Sequence, residues 1–201
     1  MSTPRDLMIV ALDVAPERPV ETGDLSLALA GAEVIDLIAA EAIALDGDLI
    51  VPNPQLPLED GLLNEASTSL VRETPYESVE DWLWRRGRGL SSAYLAALEK
   101  EGLVARQRGR WIPVRTGRTA LVDSPARSRA AARWAEHEPV LAQLAAAAGI
   151  RDVSDEESAK VTDESLDTVI AVVHDAVTEL EAVRQRKTVE DAAYDNVWRG
   201  M

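Results

Sequence analysis

The sequence predicts a mainly α fold: a compact helical domain with two peripheral β-hairpins. Three observations carry this. Apolar residues recur at helical i, i+3, i+4, i+7 spacing in most of the longer segments. Helix-entry signals, a capping hydroxyl or acid beside a proline, precede several of them. Only two places put short apolar runs around turn residues. Residues 1–150 are expected to form the helical domain. Residues 151–201 are expected to add an acidic linker and a C-terminal amphipathic helix packed on the same domain.

Thr3-Pro4 reads as a first helix entry, with Thr3 as cap. The run from Leu7 to Leu12 is apolar all round, so it should be buried, and helix and strand are both open at that length. Residues 13–24 form a loop. Asp24 is expected to cap a helix over residues 24–43, with Leu27, Val34, Ile35, Leu37 and Ile38 facing the core. Ala28, Ala30, Gly31 and Ala32 make one section slim enough for close packing. Asp46-Gly47 between short apolar runs signals the first hairpin.

Pro52, Pro54 and Pro57 mark a linker, and a helix follows over residues 59–73. Another runs from residue 77 through Trp82 and Trp84, broken near Gly87 and Gly89. Residues 90–101 are helical again, ending at Gly102. Residues 103–106 and 110–114 are expected to pair as the second hairpin, with Arg108 and Arg110 at its tip. Helices over 126–136 and 140–148 follow. After the acidic stretch 151–163, an amphipathic helix spans 163–186, with Leu166, Val169, Ile170, Val173, Val177 and Leu180 along one face. Seven helices and two hairpins result.

Composition narrows the function classes. The absence of cysteine excludes disulfides, thiolate metal sites and cysteine nucleophiles. The two histidines, His137 and His174, form no HExxH pattern, and neither a Walker loop, a GxGxxG loop nor a GxSxG elbow occurs. We expect a non-enzymatic protein with no cofactor, no metal and no catalytic residue. The start of the chain lacks the basic end and apolar run of a signal peptide. No apolar stretch approaches the ~20 residues of a membrane span. A cytoplasmic protein that touches membranes only peripherally, on their inner face, is the expectation.

Charge supplies the strongest functional signal. Residues 85–133 hold 12 of the 21 basic residues and 3 of the 35 acidic ones, a net +9 that leaves −23 on the rest of a chain totalling −14. Such asymmetry suits an anionic partner. Trp82-Leu83-Trp84-Arg85-Arg86-Gly87-Arg88 sets two indoles before three guanidinium groups, and the second hairpin repeats the mixture with Arg108, Arg110, Trp111 and Ile112. Arginine forks suit phosphate oxygens, and tryptophan suits a membrane interface. Arg85, Arg86, Arg88, Arg108 and Arg110 are therefore the candidate lipid-headgroup contacts. Trp84, Trp111 and Ile112 are the candidate interface groups. Each base near an anionic bilayer contributes about 1 kcal/mol, provided the block shares one face. Two other classes fit the layout. One is a winged-helix DNA binder, with residues 90–101 in the major groove and the basic hairpin on phosphates. The other is a protein-interaction scaffold, binding cytoplasmic protein segments or a second copy through the second hairpin.

The order of motifs resembles the Golgi phosphoprotein 3 family, whose bacterial relatives carry the same domain. The matching pieces are residues 7–13, Leu27-Ala28-Leu29-Ala30-Gly31-Ala32 leading to the Asp46-Gly47 hairpin, and Asp60-Gly61-Leu62-Leu63-Asn64-Glu65-Ala66. They continue with Trp82 and Leu95, Leu98 and Glu101-Gly102-Leu103-Val104. The likeness spans about residues 5–135, and nothing is carried over to residues 150–201. The resemblance implies a helical domain with peripheral hairpins that binds phosphatidylinositol 4-phosphate and the cytoplasmic tails of Golgi glycosyltransferases. It also implies a headgroup pocket made by a Trp and an Arg near the start of the first long helix and two Arg on a later one. Those positions align with Glu21, Ala30, Arg88 and Ser91, of which only Arg88 is a base. Losing three of four such groups should weaken specific headgroup binding by several kcal/mol, at about 1.5–3 kcal/mol per charge-assisted bond. Docking on anionic headgroups through the Arg/Trp-rich face is the resulting expectation.

Overall fold

The structure is a computed structural model and describes residues 2–14, 20–54, 57–106, 119–150 and 161–199. Among these, eight helices and two two-stranded antiparallel ladders are arranged around one central helix. The centre is α2 (Thr22–Ala39). Its residues from Leu25 to Leu37 are buried on every side, which an amphipathic stripe alone did not announce. Helices α1 (Thr3–Val14), α4 (Val79–Arg86), α5 (Leu90–Lys100), α7 (Pro139–Ala147) and α8 (Glu164–Arg199) pack around it. Helix α3 (Gly61–Thr68) also touches it, while α6 (Pro125–Ala135) lies against α1.

The slim section of α2 receives α8. A Cβ at Gly31 would stand 2.3 Å from Val173 Cγ2 and 3.7 Å from Val169 Cγ1, so only a glycine allows this approach. The apolar face of α8 predicted from spacing is the face that packs, with Val169, Ile170, Val173 and Ala176 buried. The 7–12 run is helical: α1 is buried on most sides, and its Thr3 N–H donates to Asp36 Oδ2 of α2 at 2.8 Å. A neighbouring helix thus supplies the acceptor for one first-turn donor that no helix can satisfy internally.

Several boundaries differ from expectation. Asp24 is not the cap of α2. Glu21 holds that position, and Asp24 sits in the first turn bonded to Arg184. The helix ends at Ala39, not 43, because Ile43–Asp46 (β1) joins Leu49–Pro52 (β2) in the first hairpin. Its two turn residues are Gly47 and Asp48, with φ +64 at Gly47, so the positive φ falls on glycine alone. α3 is half the expected length, capped by Asp60, whose side chain accepts from Leu62 N and Leu63 N. Strand Val104–Arg106 (β3) pairs with Thr119–Leu121 (β4). Leu121 sits opposite buried Val104, as the inward face requires. The expected strand 110–114 and the hairpin tip lie outside the described residues. The last helix reaches Arg199 instead of residue 186.

Candidate functional site

The turn between α4 and α5 faces the first turn of α2, and the space between them is a pocket of about 220 Å³. Thr22, Gly23 and Ser26 of α2, Trp84 of α4, Arg88 of the turn and Leu180 of α8 supply its walls. Local chemistry explains the geometry. Ser78 caps α4 by accepting from Asp81 N at 3.1 Å, and the chain leaves that helix at Gly87. It enters α5 through Gly89 in the left-handed region, φ +74. Two hydroxyls then fasten α5 to α2. Ser26 Oγ accepts from Ser91 N at 3.2 Å, lies 2.9 Å from Ser91 Oγ, and donates to Thr22 O at 2.7 Å.

Two helix N-termini therefore meet at this pocket. The cap residue of neither helix supplies a side-chain bond, since Glu21 does not fold back and Gly89 has no side chain, and of the α5 first-turn donors Ser91 N is already taken by Ser26 Oγ. First-turn N–H groups and the positive end of the helix dipole favour an anion there. Arg88 is exposed at the rim, and among the described residues no carboxylate pairs with it. Trp84 is half-buried in the wall.

Arg85 and Arg86 are occupied elsewhere. Arg85 forks onto Glu77 at 2.6 and 2.7 Å, donates to Ser69 O at 3.2 Å, and lies 5.1 Å from the Trp82 ring centroid. Arg86 points inward with 11% of its side chain exposed. It forks onto Glu33 at 2.8 and 3.0 Å and also donates to Glu65 at 2.7 Å and to Leu62 O at 3.3 Å. Glu33 is fully buried in α2 and accepts a third bond from the Tyr94 hydroxyl at 3.0 Å. Burial pushes the Glu33 carboxyl up, and the Arg86 and Tyr94 donors oppose that push. The same contacts hold Arg86 more firmly charged than usual. A guanidinium is ionised at any accessible pH, so the two form an internal ion pair at neutral pH. Arg86 is a structural cation.

Of the residues singled out by sequence, Arg88 and Trp84 come together at the pocket, while Arg85 and Arg86 turn to internal acids. Arg108, Arg110, Trp111 and Ile112 lie outside the described residues. Glu21 stands at the cap of α2, Ala30 is buried with its carbonyl accepting from Trp82 Nε1 at 3.2 Å, and Ser91 is committed to Ser26. Sequence reasoning missed the Ser26–Ser91 bridge and the contribution of α8. The second had a signal: Arg184 falls four residues after Leu180, in register with the inward face. No helix among the described residues is long and apolar enough to cross a membrane, and no cluster among them has the makeup of a metal site.

A comparison with curated proteins finds no match. The family comparison does, and its profile runs from α1 into α8, well beyond the 5–135 span of the motif resemblance. With residues 4–192 matched, the chain belongs to the Golgi phosphoprotein 3 (GPP34) family.

Proposed function

We propose that this protein is a non-enzymatic peripheral membrane adaptor that docks on anionic lipid headgroups, on the cytoplasmic face of a membrane. The carrying observation is Arg88, an exposed guanidinium with no carboxylate partner among the described residues, at the lip of a pocket where the N-termini of α2 and α5 converge. A phosphate there would receive backbone N–H groups and an arginine fork together. Trp84 beside it offers an amphipathic ring of the kind favoured at membrane interfaces.

Family membership supports the reading, and the internal pairing of Arg85 and Arg86 narrows it. The docking set becomes Arg88 and the pocket, with Arg108, Arg110, Trp111 and Ile112 as further contacts from the 107–118 segment. The duplex-DNA alternative has less support. The exposed side of α5 shows Ser92, Ala96 and Lys100, which offers little to read base edges.

Vesicle sedimentation tests the proposal. Phosphatidylcholine vesicles doped with phosphatidylinositol 4-phosphate should retain the protein, and undoped vesicles should not. Arg88→Glu should abolish the difference while leaving the melting temperature unchanged. Equal sedimentation on both vesicle types would end the proposal.

A further inference from the structure

Beside the pocket, next to the residues that line it, α8 carries a second guanidinium. Arg184 lies one turn beyond Leu180, and its Nη1 donates to Asp24 Oδ1 of α2 at 2.7 Å. Its Nη2 stands 2.6 Å from where a Cβ on Gly23 would sit. The fork therefore lies directly over the first turn of α2, above a residue that lines the pocket. Among the described residues Asp24 is its only side-chain partner, so Nε and Nη2 retain unused donors.

This is an unusual place for a cation. The N-terminal end of a helix carries partial positive charge, and a cation there is disfavoured by the same interaction that favours an anion. Three further sources of positive potential lie close: the N-terminus of α2 itself, that of α5, and Arg88. Asp24 offsets one of them. Glu21 at the α2 cap and Glu181 on α8 are the other acids whose charges reach Asp24. Arg184 is only 33% exposed, so its position is held by packing as well as by the Asp24 bond.

We propose that Arg184 is the second phosphate-contacting cation of this pocket, reaching a lipid headgroup phosphate from α8 through the donors that Asp24 leaves unused. The inference rests on the docking reading above and deepens it. It makes the last helix part of the binding site, with Arg184 and Arg88 drawn from segments nearly one hundred residues apart in sequence.

A charge-neutralising role for Arg184 is the competing explanation, and a double-mutant cycle separates the two. The full-length chain is tested by sedimentation on phosphatidylcholine vesicles doped with phosphatidylinositol 4-phosphate, against undoped ones. Circular dichroism and thermal melts confirm that each variant is folded. Arg184→Ala should weaken binding roughly ten-fold or more, the loss of one charge-assisted contact. Asp24→Asn, which frees the fork and removes a like charge from the phosphate's surroundings, should bind at least as tightly as the wild type. The double variant Asp24→Asn/Arg184→Ala should stay at least ten-fold weaker than Asp24→Asn alone. Because it carries neither charge, it also leaves no uncompensated carboxylate to disturb the fold.

Recovery of the double variant to the level of Asp24→Asn would overturn the inference, for Arg184 would then serve only to neutralise Asp24. Wild-type binding by Arg184→Ala would overturn it too. In both cases a loss on Arg88→Ala would leave the docking reading standing. Failure of the wild type itself to prefer doped vesicles would instead remove the docking reading, and this assignment with it.

Discussion

Arg86 and Arg88 stand two positions apart and meet opposite environments. Arg86 sits in the last turn of α4 and is turned toward α2, where Glu33 has no other cation among the described residues. Arg88 lies past the helix, in a turn that no carboxylate approaches among the described residues. The consequence is energetic. Arg86→Ala would leave the Glu33 carboxylate buried with only the Tyr94 hydroxyl, and breaking such a pair costs about 3–5 kcal/mol. Arg85→Ala removes a partly exposed pair with Glu77, expected to cost about 1 kcal/mol or less. Urea unfolding of the two variants checks this, and similar losses would show that Arg86 is not the internal cation assigned here. The sequence could not reveal the distinction, because all three arginines follow two indoles in one short run. The acids that claim Arg86 are 53 and 21 residues away, and a separation of that length becomes a contact only through the packing of α4 on α2 and α3.

At the scale of elements, the central helix shows most clearly what was legible. Ala28, Ala30, Gly31 and Ala32 read as a slim section from composition alone, and the structure brings another helix against it. Which helix arrives could not be read, since the pattern of α8 announces a buried face without naming its neighbour. The contact makes a specific prediction. Gly31→Ala places a methyl 2.3 Å from Val173 Cγ2, and overpacking of this kind costs about 1–3 kcal/mol. Adding Val173→Ala should relieve the clash, so the double variant should be less destabilised than the sum of the singles. Strict additivity in thermal or chemical unfolding would place α8 elsewhere. The hairpins were legible to different degrees for a related reason. The first is closed by a two-residue turn with glycine at the strained position, a local signal. In the second, β3 and β4 meet across residues 107–118. Its register follows from the burial of Val104 and the partial burial of Leu121 opposite it, not from any turn residue beside the strand.

Across the whole molecule, the charge asymmetry of the sequence becomes a different object once folded. Of the twelve bases in residues 85–133, Arg85, Arg86, Arg127 and Arg133 are held by acids. Four of those seven acids precede residue 70, as with Asp6 beneath Arg133 and Asp13 beside Arg127. Arg88, Lys100 and Arg129 remain exposed and unpaired among the described residues. The net +9 block is thus partly internal wiring between early and late segments of the chain, which is why composition overstated it as a surface.

This alters what salt should do to docking. A broad polybasic face loses its attraction steeply as ions screen it, at about 1 kcal/mol per base to begin with. A molecule of net charge −14 held by a few short contacts behaves otherwise. Its long-range interaction with an anionic bilayer is repulsive, and that repulsion is the first thing screened as the Debye length falls from about 30 Å at 0.01 M to about 8 Å at 0.15 M. A direct contact between Arg88 and a phosphate at the lip of the pocket spans far less than a Debye length, so it is screened less than that long-range repulsion. The two effects oppose each other, so affinity for phosphatidylinositol 4-phosphate vesicles should change by less than about ten-fold, under 1.4 kcal/mol, over that range. Sedimentation across a salt series measures it directly. A loss of several orders of magnitude would return the docking role to a dispersed basic surface, and the pocket would then have no special part in it.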